Sequence, residues 1–125
     1  MRLLLDTQIF IWSVTADRRL TAVARTRIAA ADSVFVSAAS IWEIAIKARL
    51  GKISGSAEVF AAAIEDSGFQ ALAVTTRHAA AVAKLPLHHA DPFDRLLVAQ
   101  AFDEPLRLLT AHAVLAAYGG GVTVL

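Results

Sequence analysis

Three acidic side chains, Asp6, Glu43 and Asp94, interrupt or begin apolar runs of this sequence. Asp6 stands between the runs LLL and IFIW, and a buried carboxylate costs several kcal/mol unless it is hydrogen-bonded, paired or bound to a metal. A group of carboxylates in a chain without cysteine is a hard, oxygen-rich ligand set, which suits Mg²⁺ or Mn²⁺. Such ions activate water and stabilise phosphoryl oxygens, so these residue types indicate metal-dependent phosphate chemistry.

Each acid also has an ordinary structural explanation, which the sequence leaves open. Asp6 can cap a helix that follows the first strand. Glu43 can form an ion pair with Lys47 on a solvent-facing strip, worth only about 0.3–0.5 kcal/mol. Asp91, directly before a proline, fits a helix N-cap. Asp94 then falls at the third helical position, where a carboxylate suits the helix dipole.

Helical spacing favours the functional interpretation of Glu43 and Asp94. In SAASIWEIAIKARLG, at about 100° per residue, Ser40, Glu43 and Lys47 form a narrow polar wedge on an otherwise apolar helix. We expect this helix to be largely buried, so that its wedge faces a polar site. Asp94 begins an i, i+3, i+4, i+7 stripe that continues to Ala101, which predicts a charge held in a pocket beside the core.

The elements that must position these acids alternate along the chain. The pattern predicts strands at 2–5, 34–36, 69–74, 106–109 and 122–125, and helices after 6 and at 20–31, 37–50, 56–66, 75–84, 91–103 and 110–118. This alternation predicts an α/β fold with a parallel sheet covered by helices on both faces. Ligands of such sheets bind beyond the carboxyl ends of the strands, where Asp6 is expected.

Composition narrows the class of protein. The chain has 125 residues and a net charge of +1, which favours one compact domain without a strong basic field. The absence of cysteine excludes disulfides, zinc–thiolate sites and cysteine nucleophiles. The sequence enters a strand at once and has no apolar run near the roughly 20 residues of a membrane span. We therefore expect a soluble cytoplasmic domain without membrane contact.

Four stretches together resemble the motifs of a known family. They are LLLDTQIFIW, VSAASIWEIAIKARLGKI, LPLHHADPFDRLLVAQA and LLTAHAVLAAYG, which cover nearly the whole chain in the family's order. On these stretches the sequence resembles the PIN-domain ribonucleases, and more closely the VapC-type toxins of bacterial toxin–antitoxin pairs. The resemblance implies a PIN-like α/β/α sandwich with a small, mostly parallel central sheet, as a single domain over residues 1–125.

The resemblance also implies an activity and partners. The activity is a metal-dependent endoribonuclease that cuts single-stranded or loop RNA, of the tRNA or rRNA class, by metal-activated water. The implied ion is Mg²⁺, with Mn²⁺ as an alternative. The implied partners are a second copy in a homodimer and a VapB-type antitoxin that covers the acidic site, in a heterotetramer or larger assembly. DNA would be reached only through the antitoxin, whose expected contact region is 22–64.

Residue by residue, the family's catalytic and metal-binding acids match Asp6, Glu43 and Asp94. Thr7 and Thr110 match supporting polar positions of the motifs. Gln8 replaces a usual histidine or asparagine, and we expect little consequence from that change.

A second departure from the family concerns His112, which stands where a fourth acid is common. Three interpretations stay open. His112 ligates the metal and shifts its preference towards Mn²⁺ or another softer ion, or Asp91 supplies the missing charge, or one metal position is lost and activity is weak. A surface histidine near a helix N-terminus is an equally good structural explanation.

Basic and histidine side chains give weaker indications of an RNA surface. Lys47, Arg49 and Arg95 are candidates for phosphate contacts. His88 and His89 are adjacent, so their side chains point apart, and we interpret them as loop residues near RNA rather than as a chelate.

Two other functions compete with the ribonuclease hypothesis. One is a catalytically weakened PIN-like binding module, because His112 replaces the usual fourth acid. The other is a DNA nuclease that uses the same metal chemistry.

Overall fold

The computed structural model describes residues 1–125 as five strands and six α-helices in alternation. The strands are β1 (Arg2–Leu5), β2 (Ser33–Ser37), β3 (Gln70–Leu72), β4 (Arg107–Thr110) and β5 (Val122–Val124). The helices are α1 (Thr7–Val14), α2 (Ala22–Ala30), α3 (Ala38–Arg49), α4 (Ala57–Asp66), α5 (Thr76–Ala81) and α6 (Pro92–Asp103). Two 3₁₀ helices cover Val82–Lys84 and Ala113–Tyr118. None of the helices has the length and apolar character that a membrane crossing requires.

The strands form one sheet in the order β3-β2-β1-β4-β5, and every neighbouring pair is parallel. Leu5 of β1 stands opposite Val36 of β2 and Leu109 of β4. The carboxyl ends of these three central strands therefore lie side by side. The sheet is parallel throughout, and the predicted α/β/α class is confirmed.

The central strand explains why its sequence is a continuous leucine run. Leu3 and Leu5 pack into one layer with α1 to α4, and Leu4 packs into the other with α6 and the second 3₁₀ helix. A strand with helices on both faces has no solvent side, so it shows no polar alternation. Each buried leucine contributes about 1.5–3 kcal/mol, so this run fixes β1 at the centre of the sheet.

Polar caps begin the helices at the carboxyl edge of the sheet. Asp6 caps α1 by accepting from Ile9 N at 2.7 Å, and Ser37 caps α3. Asp91 caps α6 by accepting from Asp94 N at 2.9 Å, with proline at the first helical position as predicted. These caps fix the directions in which the first turns of three helices leave the edge.

The prediction that α3 is largely buried is wrong for one strip of its apolar surface. Trp42 is 63% exposed, Ile46 39% and Leu50 63%, and they form a stripe at i, i+4 and i+8. The buried side holds Ser40 and Glu43 together with the apolar Ile44, which packs into the core. Ser40 and Glu43 of the polar wedge therefore face inwards as expected, and the stripe of Trp42, Ile46 and Leu50 faces solvent although the whole helix was expected to be largely buried.

Two smaller differences lie at the ends of elements. The helix predicted over 75–84 ends as an α-helix at Ala81 and continues as the 3₁₀ turn Val82–Lys84. Thr110, predicted to begin a helix, is the last residue of β4, and the following helix is 3₁₀ from Ala113. Helix ends are decided by a few hydrogen bonds, which periodicity does not report.

Candidate metal centre

Asp6 lies at the end of the central strand with only 2% of its surface exposed. One carboxylate oxygen, Oδ1, accepts from Ile9 N, and the other, Oδ2, accepts from the hydroxyl of Thr110. Burial raises the pKa of Asp6 from its ordinary value near 3.8 to about 6, although both hydrogen bonds and His112 oppose that rise and Asp94 adds to it. The negative charge of Asp6 therefore lacks sufficient compensation from the protein alone.

Thr110 joins two parts of the site. Its hydroxyl donates to Asp6 and also accepts from His112 N at 3.0 Å. The side chain is fully buried at the end of β4. Thr110 thus fixes the Asp6 carboxylate and the start of the segment that carries His112, which gives the predicted supporting residue a specific structural role.

Glu43 reaches the same edge from α3 and is 8% exposed. Its Oε1 lies 2.7 Å from Thr7 Oγ1, and its Oε2 lies 2.9 Å from Lys47 Nζ. Thr7 Oγ1 is also 2.9 Å from Ser40 Oγ. Because a carboxylate only accepts, the single hydroxyl proton of Thr7 goes to Glu43. The i,i+4 pair with Lys47 is therefore present, but it lies at a buried carboxylate rather than on a solvent strip.

Asp94 begins the buried stripe of α6, as predicted, and is 8% exposed. Its Oδ2 lies 2.9 Å from His89 Nε2 and 3.8 Å from His112 Nδ1. Burial raises the pKa of Asp94, and the nearby charges of Asp91 and Glu43 raise it further, while the two imidazoles lower it. The charge of Asp94 raises the pKa of Asp6, and the charge of Glu43 raises that of Asp94, so Asp94 lies near both of the other acids.

The residues present fit a divalent cation. Asp6 and Asp94 are buried carboxylates whose charged forms are disfavoured, and Lys47 pairs with Glu43 rather than with either of them. Oxygen ligands of this kind are preferred by Mg²⁺ and Mn²⁺, and a bound cation supplies the missing positive charge. Asp6, Glu43 and Asp94 are the residues that would hold it.

A family model described as the PIN domain matches residues 3–120. The chain belongs to the PIN-domain family. The match extends from the first leucine of β1 to the glycines before β5, so it includes all the acids of the cluster. No curated protein matches the sequence of this PIN domain.

Solved structures with the same fold come from bacterial toxin–antitoxin complexes. VapBC2 from Rickettsia felis, bound to a DNA fragment from its promoter, has a TM-score of 0.70 at 13% identity, over 100% of this chain and 98% of that chain. A toxin–antitoxin complex from Klebsiella pneumoniae has a TM-score of 0.70 at 20% identity, over 98% and 96%. DNA-bound VapBC from Salmonella typhimurium has a TM-score of 0.70 at 16% identity, over 100% and 97%. At these identities the similarity establishes the fold of this PIN domain.

Two residues near the acids, His89 and Ser40, were not predicted to belong to the site. His89 was interpreted as a loop residue, but its ring contacts Asp94 and lies edge-on to the ring of His112, with 6.2 Å between centroids. His88 turns away and contacts Tyr118. Adjacent histidines do point apart, as predicted, but nothing in the sequence tells which of them faces the acids. For Ser40, the signal was its place in the polar wedge of α3.

Of the three basic residues predicted to contact RNA, only Lys47 lies directly at the acidic cluster. Arg49 is exposed at the end of α3. Arg95 is half-buried, and its guanidinium donates to the carbonyls of Pro86 and Val82 and to the Tyr118 hydroxyl at 3.0–3.1 Å. The guanidinium N–H groups of Arg95 are thus already bonded to the segment before α6 and to Tyr118, because Arg95 points away from the apolar stripe of α6. An RNA contact by Arg95 stays an untested prediction.

Replacing Arg95 with alanine is expected to lower the free energy of unfolding by about 1–3 kcal/mol, because the carbonyls of Val82 and Pro86 and the Tyr118 hydroxyl lose charge-assisted donors. Urea unfolding followed by circular dichroism measures the change. Arg49→Ala is the matched control, since the Arg49 side chain is exposed and makes no hydrogen bond, and its effect should stay within about 0.5 kcal/mol. Equal stability of the two variants would contradict the anchoring role of Arg95.

Proposed function

We propose that this PIN domain is a metal-dependent endoribonuclease toxin of the VapC type. The observation that supports this function most directly is the meeting of Asp6, Glu43 and Asp94 at the carboxyl edge of the three central strands. Asp6 and Asp94 are buried without enough positive charge from the protein, since Lys47 pairs with Glu43. A structural cap or surface ion pair would need neither this burial nor this proximity.

Asp6, Glu43 and Asp94 would hold a divalent cation. Neighbouring side chains keep these carboxylates in fixed orientations. Thr110 orients the Asp6 carboxylate, and Thr7 orients that of Glu43. Asp91 fixes the first turn of α6 and so the position of Asp94. The cation, with Mg²⁺ or Mn²⁺ as the ion used, supplies activation of water and stabilisation of charge on phosphate oxygens. Hydrolysis of a phosphodiester then requires no nucleophilic side chain.

The RNA backbone would approach along the side of α3 that carries Lys47. A cleft of about 510 Å³ there is lined by Gln8, Lys47, Lys52 and Arg19, with Asp17 as its one acid. Arg19 is paired with Asp17 and Lys47 with Glu43, which leaves Lys52 as the basic group of this cleft that has no ion-pair partner. This cleft supports a local basic rim beside the acids, although the net charge of the chain is only +1.

The exposed stripe of α3 supports a protein partner. Trp42, Ile46 and Leu50 lie on the helix that carries Glu43, inside the 22–64 region expected to contact a VapB-type antitoxin. An apolar stripe beside an active site suits a segment that covers both. We propose a homodimer that binds this antitoxin as a heterotetramer or larger assembly in the cytoplasm, with DNA bound only through the antitoxin. Size-exclusion chromatography with light scattering, with and without antitoxin, measures both assemblies.

His112 supports a second candidate function, a PIN-like module that binds its partner or RNA without efficient cleavage. It stands where an acid is common in the family, and its Nδ1 lies 3.8 Å from the Asp94 carboxylate. An imidazole there lowers the negative charge of the site by one unit. Weaker cation binding, and hence weaker catalysis, would follow.

Cleavage of a mixed tRNA pool distinguishes the two functions. We expect the purified, antitoxin-free protein to cut RNA with Mg²⁺ or Mn²⁺ and not with EDTA. His112→Asp is assayed beside it, because it restores the usual fourth acid. An inactive wild type with an active His112→Asp variant would replace the toxin proposal with the binding module. Matched RNA and DNA oligonucleotides test the remaining alternative, a DNA nuclease.

A further inference from the structure

Two imidazoles flank the carboxylate of Asp94. His89 comes from the loop before α6, and His112 follows β4, so three separate segments meet at this point. His89 Nε2, Asp94 Oδ2 and one ring nitrogen of His112 all lie within 4.8 Å of one another. This group combines one hard oxygen ligand with two borderline nitrogen ligands, a different set from the three acids described above.

The separation of Asp94 and His89 matches that of two ligands on a single metal ion, and His112 lies somewhat further away. With metal–ligand bonds of about 2.1 Å, two ligands lie about 3.0 Å apart at a right angle and about 3.4 Å apart at the tetrahedral angle. Asp94 Oδ2 is 2.9 Å from His89 Nε2 and 3.8 Å from His112 Nδ1. The first separation suits two ligands of one ion, and the second is longer than the tetrahedral value, so the His112 ring must approach Asp94 for all three atoms to share an ion.

Both imidazoles are free to offer a lone pair. The His112 side chain is 49% exposed and makes no hydrogen bond, so either ring nitrogen can carry its proton. The ring of His89 makes a single hydrogen bond, through Nε2 to Asp94. Its other nitrogen, Nδ1, can hold the proton while Nε2 faces a cation.

A second histidine cluster in the fold, His78 with Asp103 and Glu104, is a useful contrast. There His78 Nδ1 accepts from Thr75 N at 3.1 Å and faces the Gln100 amide nitrogen at 3.3 Å. Its lone pair is therefore used, so the proton must lie on Nε2, which is 2.6 Å from Glu104 Oε2. That imidazole is fixed as a donor and cannot ligate through Nε2.

We propose that His89, Asp94 and His112 form a two-histidine, one-carboxylate site that binds a borderline transition-metal ion of the Zn²⁺ type more tightly than Mg²⁺. The proposal rests on the proposed function for the location of the metal centre, but it does not require RNA cleavage. It assigns His89 as a ligand beside His112. Two imidazoles and a carboxylate leave further coordination positions open for water and for the other acids of the cluster.

Calorimetric titration of metal-stripped protein with Zn²⁺ and with Mg²⁺ tests the proposal. We expect Zn²⁺ to bind at least about tenfold more tightly than Mg²⁺. His89→Gln and His112→Gln should each weaken Zn²⁺ binding by about tenfold or more, and Mg²⁺ binding by much less. His88→Gln is the matched control, because the neighbouring ring faces Tyr118 instead of the acids, and it should bind Zn²⁺ like the wild type.

Electron paramagnetic resonance with Cu²⁺ as the probe counts the nitrogen ligands directly. We expect two coordinated nitrogens in the wild type and one in each of the two variants. Oxygen-only coordination, or Zn²⁺ affinity unchanged by both variants, would overturn the proposal even if Mg²⁺-dependent cleavage is present. Histidine-dependent Zn²⁺ binding without RNA cleavage would support it and would contradict the proposed nuclease instead.

Discussion

Asp94→Asn is expected to abolish RNA cleavage, with a rate at least about 10³-fold below that of the wild type. The substitution removes one negative charge from the cluster and replaces a carboxylate ligand with a weakly coordinating amide. Asparagine fits the same space, and the backbone N–H at this position still donates to Asp91. The fold should therefore survive while metal-dependent catalysis is lost. Initial rates on a labelled RNA that the wild type cuts measure the effect.

Asp103→Asn is the matched control for this experiment. It changes an aspartate at the other end of α6, where the side chain pairs with Arg77. We expect its cleavage rate to stay within about threefold of the wild type. Wild-type cleavage by Asp94→Asn, with both variants folded by circular dichroism, would remove Asp94 from the catalytic site.

Asp6→Asn is expected to stabilise the metal-free protein at pH 7.5 while it abolishes activity. The pKa of Asp6 is raised from about 3.8 to about 6 by burial, so the folded state holds a proton more tightly than the unfolded state. Stability therefore falls as pH rises from about 4 to about 6, and the loss remains above pH 6. A shift of two units corresponds to about 3 kcal/mol, which a neutral asparagine avoids.

Urea unfolding in EDTA at pH 4.5, 6 and 7.5 measures this linkage. The stability difference between Asp6→Asn and the wild type should grow with pH across that window, to about 1–3 kcal/mol at pH 7.5. Asp17→Asn gives a comparison of opposite sign, because Arg19 holds the pKa of Asp17 at about 2 and the neutral asparagine loses that favourable interaction. A wild type that becomes more stable than Asp6→Asn as pH rises would contradict the raised pKa.

The same prediction also concerns the effect of an added divalent cation on stability. At pH 7.5 a saturating ion should raise the unfolding midpoint of the wild type, because binding to the folded state adds to its stability. The same ion should have little effect on Asp6→Asn, which lacks one ligand. Metal binding would thus restore to the wild type the stability that is lost by burying the charge of Asp6.

The sequence by itself determined the order of the elements and which three acids are brought to one edge of the sheet. A continuous leucine run, alternating helices and strands, and caps such as Asp91 before Pro92 are local features, and local sequence decides them. The parallel arrangement then follows from the alternation. In a parallel sheet Asp6 must lie at the carboxyl edge, because it directly follows β1. The polar wedge of α3 brings Glu43 to the same edge.

Only the tertiary structure decided which neighbours these residues meet. The path of one loop turns His89 rather than His88 towards Asp94, and the same loop occupies the donors of Arg95. The packing of α3 buries Ser40 and Glu43 together with Ile44, and it leaves Trp42, Ile46 and Leu50 exposed. Such choices depend on contacts between segments far apart in the chain, which periodicity and capping do not encode.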